Sequence, residues 1–270
     1  MNPAAGPGFP PQRVVSVAPS ITDSLLALGL GRYIVGATDL CPLPDGMADV
    51  IRVGRPECVR SAVVSGLHPD RVLAAWEENT PNQIMEWRQA GMPLWVSSPK
   101  TVRQAIADLR DLVLMFPSEA ALQSVVWLDR SVDWMAGSLP EKSLRVFCPR
   151  SRRGSADNPE SWEAVGRGSY PGDLLSLCGA ETAFEEQTSG FYPVVTPEEV
   201  IAVAPEIILL AGDPFPFSDA DAAAIRSIMP DIPAVKNDRI LPVDGKLIFW
   251  PGAKSGQAIR LLPAIINRRD

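Results

Sequence analysis

Apolar and polar positions follow one another along the chain in two rhythms. Short apolar runs, "VVSVA" (14–18), "YIVGAT" (33–38), "RVLAA" (71–75) and "PLWVSS" (93–98), alternate with stretches whose apolar residues recur every three or four positions. That succession predicts βαβ units on a mainly parallel sheet. After the first run, Leu25, Leu26 and Leu28 form a core-facing stripe, and Ser20 with Asp23 has the spacing of a capping-box variant. Strand, Pro-Ser turn and helix are therefore expected in that order over 13–31.

A second helical stretch, 101–116, opens on the cap pair Thr101 and Gln104 and sets Val102, Ile106, Leu109 and Val113 along one face. Pro117 breaks it. A further helix is predicted from 118 to about 138, before Pro140, a rod of roughly 30 Å that could cross from one lobe to another. The βα pattern then resumes with "LRVFCP" (144–149), "EIILLAG" (206–212) and "DRILPVDG" (238–245), and closes on an apolar helix over 255–267. The halves echo each other. "SITDSLLALGLG" is answered by "SYPGDLLSLCGA" (169–180), and "LHPDRVLAAWEEN" (67–79) by "VAPEIILLAGDPF" (203–215), which reads either as a duplicated lobe or as two ordinary βα units.

Composition narrows the function classes. A chain of 270 residues, 46% hydrophobic, can bury one large or two modest cores. Its 32 acidic against 25 basic residues, net charge −7, argue against nucleic acid or an anionic membrane as the main partner. No apolar run approaches the ~20 residues of a membrane span. The start, "MNPAAGPGFPPQ", has neither a basic n-region nor an apolar h-region, so a complete sequence would predict a cytoplasmic protein. Cys41, Cys58, Cys148 and Cys178 form no CxxC pair and are expected to be mostly buried thiols.

In open α/β sheets ligands bind outside the carboxyl ends of strands. The first such loop, with Pro19 and Ser20 in "APSIT", lacks the glycines that let a backbone wrap a pyrophosphate, though the helix N-terminus at Ser20 could still donate N–H groups. The only histidine, His68, precedes Pro69 and is expected on a turn; no hydrolase triad or zinc motif can be built around it. What the loops offer instead is aromatic surface: Trp76, Trp162, Phe215, Phe217 and Trp250, suited either to core packing or to stacking on a flat ligand. Arg55, Arg150, Arg152 and Arg153 are read as loop residues that either stay solvated or meet a ligand's anionic groups. Asp39 and Asp213 also follow strands, as caps or as ligand contacts.

Taken together, "RVVSVAPSITDSLLALGLGRYIVGATDLCPLP", "HPDRVLAAWEEN", the long helix, "YPGDLLSLCGAE", "TPEEVIAVAPEIILLAGDPFPFS" and "RILPVDGKLIFWPG" resemble, in order and spacing over nearly the whole chain, the solute-binding proteins for vitamin B12 and iron-siderophore or haem. The resemblance implies an α/β fold of two Rossmann-like lobes with mainly parallel sheets, joined by one long inter-lobe helix. The expected boundaries are a disordered 1–12, an N-terminal lobe over 13–117, a connecting helix over 118–139 and a C-terminal lobe over 140–270. It implies binding rather than catalysis, with a corrinoid, haem or ferric siderophore held between Pro19, Ser20, Asp39, Arg55 and Trp76 on one side and Arg150, Trp162, Phe215 and Trp250 on the other. Any metal would arrive inside the chelate; no built-in cofactor, direct metal ligand or catalytic residue is expected. The partner would be an ABC importer permease met by a monomer, in the periplasm or otherwise outside the cytoplasm. Of the two acidic residues through which relatives dock, Glu198 fits one and Ala62 stands at the other place. The alternatives are a cytosolic carrier or sensor of such a chelate and an enzyme acting on a small anionic substrate.

Overall fold

A computed structural model describes residues 10–137, 142–184 and 191–267. In chain order its strands are β1 (Val14–Ser16), β2 (Ile34–Ala37), β3 (Ile51–Arg52), β4 (Gly54–Arg55), β5 (Cys58–Val59), β6 (Arg71–Ala75), β7 (Leu94–Ser97), β8 (Leu144–Phe147), β9 (Pro149–Gly154), β10 (Pro159–Ala164), β11 (Ala180–Thr182), β12 (Val194–Val195), β13 (Ile207–Ala211) and β14 (Ile240–Val243). Its helices are α1 (Pro19–Ala27), α2 (Ser61–Gly66), α3 (Pro81–Gln89), α4 (Val102–Val113), α5 (Glu119–Ala136), α6 (Tyr170–Leu177), α7 (Pro197–Val203), α8 (Asp219–Ile228), α9 (Pro233–Lys236), α10 (Gly245–Phe249) and α11 (Lys254–Ile266). The chain divides into two compact units. The first comprises Met1–Pro99, Arg103–Arg130 and Pro251–Lys254; the second comprises Lys100–Val102, Ser131–Trp250 and Ser255–Asp270. Helix α5 begins in one and ends in the other.

The fold is α/β with two mainly parallel sheets. In the first unit five parallel strands are ordered β3-β2-β1-β6-β7, and in the second four are ordered β11-β8-β13-β14. Leaving β3 aside, the two orders are the same: the first strand pairs with its successor on one side and with the third strand on the other. The central strands are short and mostly apolar because helices cover both faces of a parallel sheet. All five residues of β6 and all five of β13 are buried. Val15, Val17, Val72, Ala74 and Trp87 belong to the first core; Phe147, Trp162, Ile208, Leu210 and Ile225 belong to the second.

Two local expectations are corrected. Helix α1 starts at Pro19 with Ala18 as N-cap and no side-chain cap bond, so Ser20 lies inside the first turn and Asp23 pairs with Lys254 at 3.4 Å. The arginine segment is a strand rather than a loop: β9 and β10 form an antiparallel hairpin, joined by β12. Its sequence "PRSRRG" is polar because an antiparallel ribbon can leave one face to solvent, and so it carried no apolar signal.

Residues 1–9 of the segment expected to be disordered lie outside the described residues, as do Pro140 and the expected end of the long helix at 138–139. Gln12 is held, its N–H donating to the Asp70 carboxylate at 2.7 Å. The four cysteines are free, with Cys41, Cys148 and Cys178 buried and Cys58 exposed. Burial pushes the Cys148 and Cys178 thiols up to about 12, which keeps them protonated.

Candidate functional site

Each parallel sheet has one place where the chain leaves in both directions, between β1 and β6 in the first unit and between β8 and β13 in the second. In open α/β folds the crevice outside the carboxyl ends at such a switch point is the ligand position. The two edges are described separately below.

In the first unit the turn after β6 governs the edge. Asn79, buried, accepts from the Ala75 N–H at 3.0 Å and donates to the Val17 carbonyl at 2.9 Å and the Pro56 carbonyl at 3.0 Å. One side chain thus ties together β6, the end of β1 and the β4–β5 hairpin. Next to it Glu78 accepts from the Ser20 N–H at 3.0 Å and, by a short bond, from the Ser20 hydroxyl. The α1 N-terminus that the sequence left open to a ligand is therefore occupied by the protein's own carboxylate, and Pro19 and Ser20 are both buried. Asp39 donates its N–H to the Gly54 carbonyl at 2.8 Å, which draws the loop after β2 to the same hairpin. Arg55 sits on that hairpin, 3.4 Å from Glu57, with both side chains exposed. Trp76 follows β6 directly and is 37% exposed. The structure therefore brings Asp39, Arg55 and Trp76 to one edge with accessible side chains, while Pro19 and Ser20 support it from beneath.

In the second unit the β9–β10 hairpin leaves the carboxyl end of β8 after only Cys148. Arg150 and Arg152, two apart on β9, project from one face. Arg150 lies over the Tyr192 ring at 4.6 Å and 3.3 Å from Glu163, which also accepts from the Ser151 hydroxyl at 3.0 Å. Arg152 lies over the Phe215 ring at 5.3 Å, with its Nε 2.7 Å from Asp221; Phe215 in turn touches Phe217, ring centres 4.7 Å apart. Two groups of stacked guanidinium and aromatic planes thus stand side by side on the β9 face, Arg150 with Tyr192 and Arg152 with Phe215 and Phe217.

Beside it, after β13, burial raises the Asp213 carboxyl, opposed by the Lys246 charge and a hydrogen bond from the Trp250 indole. Lys246 lies over Trp250 at 4.9 Å. Gly245 makes this approach possible, since a Cβ there would lie 1.8 Å from the Asp213 carbonyl oxygen.

Two expected contacts are corrected. Trp162 is 1% exposed and packs edge-on against Phe147 at 5.6 Å, so it is a core residue of β10 and offers no stacking face. Trp250 is 7% exposed and holds Asp213 instead of presenting its ring. The sequence reading missed Glu78, Asn79, Glu163, Tyr192 and Lys246. Glu78, Asn79 and Lys246 lie within the segments quoted for the resemblance, but their spacing marks no function, and Glu163 and Tyr192 stand in none of those segments.

His68, exposed with φ +45°, precedes the amino end of β6 and so stands away from the carboxyl edge. A polar cavity of about 210 Å³ in the second unit is lined by Arg167, Gly172, Asp173, Ser176, Glu181 and Thr182, without an aromatic wall. Among the described residues no three His, Cys, Asp or Glu side chains are grouped to hold a metal ion, and no helix is long and apolar enough to cross a membrane.

No family model matches the chain. A vitamin B12-binding protein of Vibrio cholerae serotype O1 is 23% identical over 254 residues, covering 93% of this chain and 87% of the relative. One of Yersinia pestis is 24% identical over 233 residues, covering 84% and 79%. Among solved structures, the periplasmic vitamin B12 binding protein of Vibrio cholerae superposes with a TM-score of 0.80 at 21% identity, over 96% of this chain and 97% of the other. The periplasmic haem binding protein of the same organism gives 0.77 at 19% identity, over 95% and 99%. The chain is thus similar, over most of its length, to curated vitamin B12-binding proteins, and it has the two-sheet α/β fold of the periplasmic vitamin B12 and haem binding proteins.

Proposed function

We propose that this protein is an ABC transporter substrate-binding protein that carries a flat metal chelate of the vitamin B12 or haem class at the carboxyl edges of its sheets. The observation that carries the reading is the pair of stacked groups at the second switch point, Arg150 on Tyr192 and Arg152 on Phe215; Trp76, Arg55 and Asp39 stand at the corresponding edge of the first unit. Rings and guanidinium planes stack on a conjugated macrocycle and leave its own polar rim to hydrogen bonds. Of the two ligands we favour the corrinoid, which brings its own axial groups. The single histidine stands at the wrong end of its strand to serve as a haem ligand, Tyr33 and Tyr170 are buried, and the third tyrosine, Tyr192, lies under the Arg150 guanidinium.

The mechanism is capture and release. The loops are held by Asn79 and by the β9–β10 hairpin before any ligand arrives, so little ordering entropy opposes binding. Titrating the purified protein with cyanocobalamin, haemin and a ferric siderophore, while following tryptophan fluorescence and ligand absorbance, tests this. Saturable one-to-one binding of cyanocobalamin at micromolar affinity or better is expected. Binding of the siderophore alone would overturn the ligand class.

A further inference from the structure

The arginines of the second switch point are conspicuous for being already answered. Arg150 has Glu163 at 3.3 Å, and Arg152 has Asp221 at 2.7 Å in a setting where both side chains are largely buried. Asp221 is fixed further by the Ser218 N–H at 2.9 Å and the Ser218 hydroxyl at 2.8 Å, so it cannot swing away from Arg152. Lys246, the next cation along the edge, lies in the field of Asp213. Arg153, exposed, alternates to the opposite face of β9. At the first switch point Arg55 has Glu57 and the α1 N-terminus has Glu78.

A cation recognises a ligand carboxylate well when the cation would otherwise be solvated. When a protein carboxylate already holds it, an arriving anion must displace that carboxylate or sit beside it, and like charges at short range cost several-fold in affinity. Such pairs use the edges of the guanidinium groups, so the pairing itself does not occupy the face opposite the Tyr192 or Phe215 ring. The face then stacks on a conjugated system while its charge is cancelled in the plane.

From this we infer that Glu163 is a specificity residue: by neutralising Arg150 beside Tyr192 it makes the site select flat chelates with an uncharged, amide- or ester-bearing rim over those whose rim carries free carboxylates. This rests on the proposed chelate-binding role and names the rim chemistry of that ligand.

The test uses two ligand pairs that differ only in rim charge. One is cyanocobalamin against its monocarboxylic acid derivative; the other is haemin dimethyl ester against haemin. Affinities are measured by fluorescence titration for the wild-type chain, Glu163→Gln, the double variant Arg150→Gln/Glu163→Gln, and Glu86→Gln as a charge-matched change elsewhere on the surface. The wild type is expected to prefer the uncharged member of whichever pair it binds by about tenfold. Glu163→Gln should bring that ratio to about one by strengthening the acid, with the uncharged ligand held within about twofold. The double variant should restore the discrimination, and Glu86→Gln should leave it untouched. A ratio near one in the wild type, or a Glu163→Gln gain that persists without Arg150, overturns the selectivity role while leaving chelate binding in place. A folded wild type that binds no member of either pair overturns the chelate reading and this inference with it.

Discussion

At the scale of single residues, exposure separates side chains that can meet a ligand from those that shape the site. Trp76 follows β6 and Trp250 ends α10, and the sequence offers both as stacking rings. Trp76 is the accessible one, while Trp250 spends its indole on Asp213. Trp76→Ala is therefore expected to weaken chelate binding by about 1–3 kcal/mol with the urea midpoint nearly unchanged. Trp250→Ala should lower the midpoint itself, by about 3 kcal/mol of stability or more, since it empties a buried position and leaves a half-buried carboxyl without its donor. Equal midpoints for the two variants would contradict this division.

Asp213 makes a separate prediction with pH. Burial lifts its folded value above 3.8, outweighing Lys246 and the Trp250 hydrogen bond. A carboxyl raised on folding binds more protons in the native than in the unfolded state. Its contribution is therefore favourable below 3.8 and is lost as pH climbs through the raised value. Asp213→Asn keeps an acceptor for the indole and removes the titration. The difference in urea midpoint between variant and wild type should accordingly shift in the variant's favour as pH rises across that window; a difference independent of pH would refute it.

At the scale of elements, the parallel strands were legible because burial on both faces writes itself as a nearly unbroken apolar run, as in "VLAA" of β6 and "IILLA" of β13. The β9–β10 hairpin was not, because "PRSRRG" and "PESWEA" mix charge with single buried side chains and mimic a loop. The same blindness hid half of the site. Arg150 was visible as a cation, but the groups that define it, Glu163 on the paired strand and Tyr192 beyond it, are adjacent only once the hairpin forms. Glu78 was hidden for a different reason: a carboxylate capping a helix 58 positions earlier has no local spacing to detect.

Gly245 is the element-scale counterpart, since it lets the start of α10 press against the loop after β13. Gly245→Ala should cost about 1–3 kcal/mol, because the added methyl runs into the Asp213 backbone, whose carbonyl oxygen, carbonyl carbon and nitrogen all lie within 2.7 Å of it. A melting temperature equal to wild type would mean that the loop yields freely.

For the molecule as a whole, cargo and delivery are expected to be separable. Helix α7 precedes β13 as α2 precedes β6, so the repeated strand order gives the two helices corresponding places in their units. Glu198 stands in the first turn of α7, fully exposed, its carboxyl held below the ordinary range by a backbone N–H and the Thr196 hydroxyl, and hence charged at any ordinary pH. Ala62 on α2 is exposed and neutral. If an importer receives this protein through charge, one unit supplies the anchor and the other does not.

Glu198→Ala should then reduce uptake by a cobalamin importer in proteoliposomes several-fold, and the deficit should shrink as salt is raised, as for any charge pair at an exposed rim. Chelate affinity of the same variant should stay within twofold, because Glu198 belongs to neither carboxyl edge. Ala62→Glu should act in the opposite sense, strengthening docking by a similar factor. Uptake unaffected by both changes, with chelate binding intact, would mean that this protein holds its ligand without handing it over through these helices, and the cytosolic carrier would become the better account of the same fold.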